Sequence, residues 1–245
     1  MKQLRARSSR LPLVLLAAML GIAGSAQAGP PLICHVISIG NAKSLPWTDA
    51  TNNTATDPKY DVRNLASDTL ALLTPSTPPI VRMETLRRAT IYARQDPRAA
   101  KELLTRLYAR TNGADSAGHS EASAEALAWF DAGYLVECYK QWIGRDLPHM
   151  TDGLRMDPNP AANQDGYAWV ARAITLRGTD PEMEFAAALI SLDGTHRNDL
   201  RGHAERAQDG ASSDSLLAVN LSSHFIGSRG ETMAELISKV TTAKK

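Results

Sequence analysis

The residues of this chain best suited to hold a metal ion are two histidines and an aspartate near residue 200. His196, Asp199 and His203 are spaced i, i+3 and i+7, so they share one face if residues 195–209 form a helix. Imidazole nitrogens and carboxylate oxygens are ligands that zinc uses, although zinc sites on helices commonly place their histidines at i and i+4. Solvated polar side chains explain the same pattern. The sequence therefore offers a metal-site hypothesis beside that of an ordinary solvent-exposed helix face.

Motifs of the common enzyme classes are absent from the sequence. It contains no Gly-x-Ser-x-Gly elbow, phosphate-binding loop, dinucleotide fingerprint or His-Glu-x-x-His zinc motif. We therefore expect no cofactor, and nothing in the sequence indicates catalysis.

The first 28 residues have the features of a secretory signal peptide. Four basic residues precede an apolar run from Leu11 to Ile22, and Ala26 and Ala28 supply the small residues that precede a cleavage site. The apolar run of about 12 residues is too short to cross a hydrocarbon core of roughly 30 Å. We expect cleavage after Ala28 and a secreted or periplasmic protein without a transmembrane segment.

Removal of this leader changes the charge of the chain. The full sequence has 27 basic and 26 acidic residues, and four of the basic ones lie in the leader. The mature chain would therefore carry 23 basic against 26 acidic residues, a net charge of −3. An acidic balance argues against a nucleic-acid partner.

The mature chain has two cysteines, Cys34 and Cys138. In an oxidising compartment two cysteines favour one disulfide, which would tie the N-terminal segment to the middle of the chain. The alternative is that both are free and that Cys138 is a buried apolar residue.

Basic residues concentrate between Ile80 and Gly113, where the local charge is +5. Such a surface would attract an acidic partner or an anionic envelope polymer. The alternative is a solvated face whose arginine stems cover apolar surface. The candidate partner surface comprises Arg82, Arg87, Arg88, Arg94, Arg98, Lys101 and Arg106.

Four aromatic residues could line a groove: Trp129, Trp142, Trp169 and Tyr134. Tyr134 and Trp142 share an apolar stripe with Cys138, however, which is typical of a core.

The pattern of the chain divides it into an extended N-terminal arm and a helical domain. Residues 29–56 contain Ile33, Ile37 and Ile39, which predict a short strand or a docked apolar arm. From residue 57 to residue 245 apolar side chains follow helical periodicity, with a candidate internal boundary at residues 144–166. Four Asp-Pro pairs, beginning at Asp57, Asp96, Asp157 and Asp180, predict helix starts with an aspartate N-cap.

Fragments of the helical domain resemble each other. Residues 88–97 and 172–181 both begin Arg-Ala and end Asp-Pro, at an offset of 84 residues. Ala128-Trp129 and Ala168-Trp169 give an offset of 40, the size of a helix pair with its loop. The sequence Ala132-Gly133-Tyr134-Leu135 supplies small residues where paired helices would touch.

On these fragments the chain resembles the tetratricopeptide-like helical-repeat families, in the setting of uncharacterised bacterial secreted proteins. The resemblance departs from the usual 34-residue period. It implies an all-α fold of helical hairpins in a short right-handed solenoid, and a non-repeating bundle remains open.

Protein or peptide binding is the function that this architecture favours, with an envelope or extracellular protein as partner. The alternative is an enzyme or small-ligand-binding protein whose site lies between the N-terminal arm and the helices.

Overall fold

The computed structural model describes residues 32–34, 36–52, 54–112, 119–141, 160–192, 194–213 and 215–225. Within these ranges the chain forms eight α-helices and no β-strand, which confirms the all-α prediction. Short 3-10 helices cover Leu32–Cys34, Val62–Asn64 and Gly194–His196. The α-helices are α1 (Leu65–Leu72), α2 (Pro79–Ala93), α3 (Pro97–Thr111), α4 (His119–Lys140), α5 (Gly166–Arg177), α6 (Pro181–Ser191), α7 (Leu200–Asp209) and α8 (Leu216–Phe225).

Two of the four Asp-Pro pairs begin helices as predicted. The Asp96 carboxylate accepts the backbone N–H of Arg98 at the start of α3, and Asp180 does the same for Glu182 at the start of α6. The prediction at Asp57 is wrong, because its carboxylate accepts the N–H of Lys59 within a turn that no helix continues. Asp157 lies outside the described residues.

Helix α2 is the centre of the molecule. Every residue of α2 except Arg88 is buried, including three charged residues. It packs against α1, α3, α4 and α6, so its neighbours come from both halves of the chain. A helix covered in this way belongs to a bundle, because in an open solenoid each unit contacts only the units next to it.

Helices α4 and α5 cross at two glycines. A Cβ atom placed on Gly133 would lie 2.6 Å from the carbonyl oxygen of Gly166 and 2.9 Å from the Cβ of Trp169. This close approach requires glycine at the crossing, because any side chain would push the two backbones apart. The predicted small-residue contact at residues 132–135 is therefore present, and its partner is the first turn of α5.

The N-terminal arm is docked on the helices and forms no strand over its described residues. Ile37, Ile39 and Leu45 are buried in the same core as the helices. The backbone N–H of Ile37 donates to Glu84 Oε2 at 3.0 Å, and Ser38 exchanges two hydrogen bonds with Asn220 of α8.

Most of the candidate boundary at residues 144–166 lies outside the described residues. The helices on its two sides contribute to one hydrophobic core. No described helix combines the length and the apolar composition needed to cross a bilayer.

Candidate functional site

Three aromatic side chains from three helices meet at the surface of the bundle. Tyr108 of α3 stacks on Trp169 of α5, with ring centroids 5.1 Å apart and an angle of 26° between the rings. Trp129 of α4 meets Trp169 edge-on at 5.7 Å. Tyr108 is 42% exposed, and the two tryptophans are half-buried. The cluster is thus part of the surface and not of the core.

The glycine crossing explains why the two tryptophans meet. Trp129 lies one helical turn before Gly133, and Trp169 lies three residues after Gly166. Because side chains three or four residues apart share a helix face, the contact of the two glycines places both indole rings on the same side of the crossing. Helix α3 supplies the third ring: it buries Leu103, Leu104 and Leu107 and leaves Tyr108 at the edge of that apolar face.

A groove of about 440 Å³ opens beside this cluster. We call it the aromatic groove; it is lined by Lys101, Leu104, Thr105, Tyr108, Pro160, Gln164 and Trp169. Apolar and aromatic surface with a few polar side chains is typical of binding sites. The lining residues come from α3, α5 and the turn before α5, so regular helices hold most of the groove in place.

Two cations, one over Trp129 and one in the lining of the aromatic groove, differ in their ion-pair partners. Arg172 lies 4.4 Å from the ring centroid of Trp129 and forms an ion pair with Glu125 at 2.9 Å. Lys101 is exposed and forms no ion pair with any described residue, although Glu102 beside it pairs with Arg106. Lys101 is therefore the charged residue of the lining, and it has no ion-pair partner in the described part of the chain.

The predicted basic partner surface is wrong for its first three residues. Arg82 and Arg87 are fully buried, and the side chain of Arg88 is 11% exposed. Arg82 pairs with Asp131 at 2.6 Å, while Arg87 and Arg88 both pair with Glu84 at 2.7 Å. These charges are buried because carboxylates from the core neutralise them, which a local count of basic residues does not reveal.

The rest of the predicted surface divides between the two helices. Arg94, at the end of α2, is partly buried, and burial lowers the pKa of its guanidinium. Arg98, Lys101 and Arg106 on α3 are exposed, and Lys101 lines the aromatic groove.

Asp131 is buried and lies between two arginines, in a charge cluster separate from the ion pairs of Glu84. It accepts from Arg82 at 2.6 Å and from Arg110 at 3.1 Å. Burial raises the pKa of the Asp131 carboxyl, and the two arginines oppose that shift. Arg82 also donates to the backbone carbonyls of Thr77 and Thr74, so it joins the α1–α2 loop to α4.

The predicted metal ligands do come close together, but they do not form a metal site. The helix predicted over residues 195–209 is interrupted, because His196 ends a 3-10 helix and α7 begins after Asp199. No group of histidine, cysteine and carboxylate side chains among the described residues has the arrangement of a metal site. The predicted zinc interpretation is therefore not supported.

Those residues surround Tyr167 instead. The Tyr167 hydroxyl lies 2.9 Å from His203 Nε2 and donates to Asp199 at 3.1 Å, and its ring stacks on His196 at 3.7 Å. His203 Nδ1 lies 2.5 Å from the buried carboxylate of Glu184. Burial, with Asp199 nearby, raises the pKa of Tyr167 to about 12. The network joins α5, α6 and α7 as a structural contact.

The predicted disulfide is not formed in the structure. Cys138 is a free thiol that is completely buried in α4. Burial raises the pKa of this thiol, which disfavours the reactive thiolate. The side chain of Cys34 lies outside the described residues.

Of the four aromatic residues singled out in the sequence, two contribute to the surface cluster. Trp169 lines the aromatic groove and Trp129 packs against it, whereas Tyr134 is fully buried in the core and Trp142 lies outside the described residues. The sequence pointed to Lys101 as part of a basic partner surface, but Leu104, Thr105 and Tyr108 were not expected to line a groove. The sequence signal for them was the spacing of Lys101, Thr105 and Tyr108 at i, i+4 and i+7.

No protein-family model matches the chain, and neither a curated protein nor a solved structure is similar to it. The resemblance to tetratricopeptide-like repeats therefore stays a prediction.

Proposed function

We propose that this protein binds another protein or a peptide in the aromatic groove. The observation that carries the proposal is the exposed stack of Tyr108 on Trp169 at the side of that groove. Tyrosine and tryptophan are the residues most enriched at the energetic centres of protein interfaces, since they bury much area at low entropic cost. Large apolar side chains of the described residues are otherwise buried or half-buried, apart from Val219 on α8.

The supports of the groove also favour binding. Tyr108 and the two tryptophans project from three helices, of which α4 packs against both α3 and α5, and the glycine crossing fixes the distance between α4 and α5. Side chains held in this way lose little freedom when a partner docks, which improves affinity.

The setting of this function follows from the N-terminal sequence. The leader proposed for residues 1–28 would place the groove outside the cytoplasm, so the partner would be an envelope or extracellular protein.

The alternative of an enzyme or small-ligand site places that site between the arm and the helices. At that junction several polar groups of the described residues already pair with one another. The N–H of Ile37 donates to Glu84, Ser38 pairs with Asn220, and Tyr92 donates to the carbonyl of Pro46. We therefore favour the aromatic groove.

A peptide-display selection tests the proposal. Random 12-residue peptides would be selected on the mature wild-type chain and then measured against Tyr108→Ala and Trp169→Ala. We expect enriched peptides whose affinity falls at least tenfold for each variant, as for central aromatic interface residues.

The matched control is Val219→Ala, which removes an exposed apolar side chain from α8, away from the groove. It should leave the same affinities unchanged, and circular dichroism should show that all three variants are folded. The proposed function would be refuted if the selected peptides bound Tyr108→Ala with the same affinity as wild type. It would also be refuted if no peptide were enriched.

A further inference from the structure

We infer that the ligand of the aromatic groove is an extended, proline-containing peptide segment with an acidic residue three or four positions from the proline. This inference deepens the proposed function and depends on it. It follows from the shape of the aromatic surface, from Lys101, which has no ion-pair partner among the described residues, and from the spacing of Lys101 and Tyr108 along α3.

The aromatic surface favours a flat apolar side chain. Tyr108 and Trp169 stack with only 26° between their planes, and Tyr108 is 42% exposed, so the two rings together offer flat aromatic surface to a ligand. Trp129 closes the cluster on another side at 6.3 Å from Tyr108. Aromatic-lined grooves of this kind suit proline rings, and a polyproline-II segment is already extended before it binds, so it loses little entropy.

The charge of the groove favours an acidic residue. Lys101 lines it, is exposed and has no ion-pair partner among the described residues. None of the lining residues is acidic. A carboxylate on the ligand would therefore meet one free cation and no opposing charge from the lining.

The spacing of Lys101 and Tyr108 along α3 predicts how many residues separate the acidic residue from the proline in the ligand. Lys101, Thr105 and Tyr108 follow one face of α3 at i, i+4 and i+7, and seven residues of α-helix advance about 10.5 Å. A polyproline-II segment advances about 3.1 Å per residue, so the same distance corresponds to three or four ligand residues. The ligand direction is open, and either order of proline and acid satisfies this distance.

A polar oligosaccharide fits the groove less well. Sugar hydroxyls need many hydrogen-bonding partners, and Lys101, Thr105 and Gln164 are the polar side chains among seven lining residues. The remaining four side chains are apolar or aromatic, which suits a peptide with a proline.

Fluorescein-labelled 11-residue peptides in an Ala/Ser background test the inference by fluorescence anisotropy with the mature full-length chain. The reference peptide carries two adjacent prolines and one glutamate four positions after the second. We expect about threefold weaker binding after Glu→Gln or after moving the glutamate next to the prolines, as for one exposed ion pair. Replacing both prolines by alanine should weaken binding about fivefold or more.

Charge reversal on the protein is the more specific test of the role of Lys101. The Lys101→Glu variant should bind the reference peptide about tenfold more weakly than wild type does. It should bind a peptide with lysine in place of the glutamate more tightly than wild type does. The matched control, Arg98→Glu, reverses the same charge one turn earlier on α3, where the side chain is 93% exposed and outside the groove lining. It should change both affinities less than twofold.

Four results would overturn the inference. The first is an equal loss of affinity for the reference peptide in Lys101→Glu and Arg98→Glu, and the second is tighter binding of the peptide in which alanine replaces both prolines, which indicates a helical ligand. The third is an affinity that does not depend on the position of the glutamate. The fourth is displacement of the reference peptide by an N-acetylglucosamine oligomer. If display-selected peptides still depend on Tyr108 but lack the proline and the acid, the inference fails and the proposed function stands. If no peptide depends on Tyr108, both fail.

Discussion

At the residue scale, the charges of α2 show how a core accommodates arginines. Arg82 is completely buried, yet Nε and both terminal nitrogens of its guanidinium donate to oxygens, which belong to the Asp131 carboxylate and two loop carbonyls. Glu84 is also buried and accepts from Arg87, Arg88 and the backbone of Ile37. Buried charges are tolerated when they are paired and hydrogen-bonded in this way.

Removal of one partner from such a pair should be costly. We expect Arg82→Met to lower the free energy of unfolding by about 3 kcal/mol, because Asp131 stays buried with only Arg110 to neutralise it. Arg98→Met removes an exposed arginine from α3 and should change stability by less than about 0.5 kcal/mol. Urea unfolding followed by circular dichroism measures both, and equal effects would show that the Arg82 pair does not stabilise the fold.

The signal for part of this cluster was present in the sequence. Glu84 precedes Arg87 by three residues and Arg88 by four, which is the spacing of ion pairs along a helix. The partner of Arg82 could not be found in the same way, since Asp131 lies 49 residues away on another helix.

At the element scale, the crossing of α4 and α5 decides the position of the aromatic cluster. Gly133 and Gly166 allow the two backbones to approach, and the tryptophans on the same side of the crossing then meet. The stability of the bundle and the shape of the aromatic groove therefore depend on the same two glycines.

A methyl group at the crossing of α4 and α5 should disturb both the stability of the bundle and the shape of the aromatic groove. Gly133→Ala would place its Cβ 2.6 Å from a carbonyl oxygen of α5, and we expect it to cost about 2 kcal/mol or more of stability, in the range of an overpacked core. Intrinsic tryptophan fluorescence should change with it, because Trp169 lies beside the new methyl group.

Gly202→Ala in α7 is the matched control for that substitution. The nearest atom to its Cβ would be the flexible end of Arg206 at 3.1 Å, so the side chain can move aside. Alanine then improves the helix by up to about 1 kcal/mol. Thermal unfolding of both variants tests the pair, and a neutral Gly133→Ala would contradict the tight crossing.

At the scale of the whole molecule, the arm joins the beginning of the described chain to its end. Ser38 and Asn220 are 182 residues apart and exchange two hydrogen bonds of 2.8 Å. Their contact holds the arm between α2 and α8, and several isoleucines of the arm complete the core.

Loss of this contact should loosen the arm together with α8. We expect Asn220→Ala to cost about 2 kcal/mol, because it leaves the N–H and the carbonyl of Ser38 without their partners. Native-state hydrogen exchange should show faster exchange at Ser38. Ser222→Ala on the same helix removes a hydroxyl whose one hydrogen bond within the described chain is to the carbonyl of Val219, and exchange at Ser38 should not change. Equal exchange in the two variants would argue against the proposed anchor.

The sequence by itself determined the helical character of the chain and several of its helix ends. The aspartate caps at Asp96 and Asp180 and the buried stripe of α3 depend on neighbours within a few residues, so local patterns were sufficient. Tertiary structure alone decided the rest. It buried Arg82 of α2 by supplying Asp131, directed His203 to Glu184 instead of a metal, and joined Tyr108 to Trp169 in the aromatic groove. Each of these contacts links side chains from different helices, and the energy that fixes them comes from packing and charge pairing that no local pattern contains.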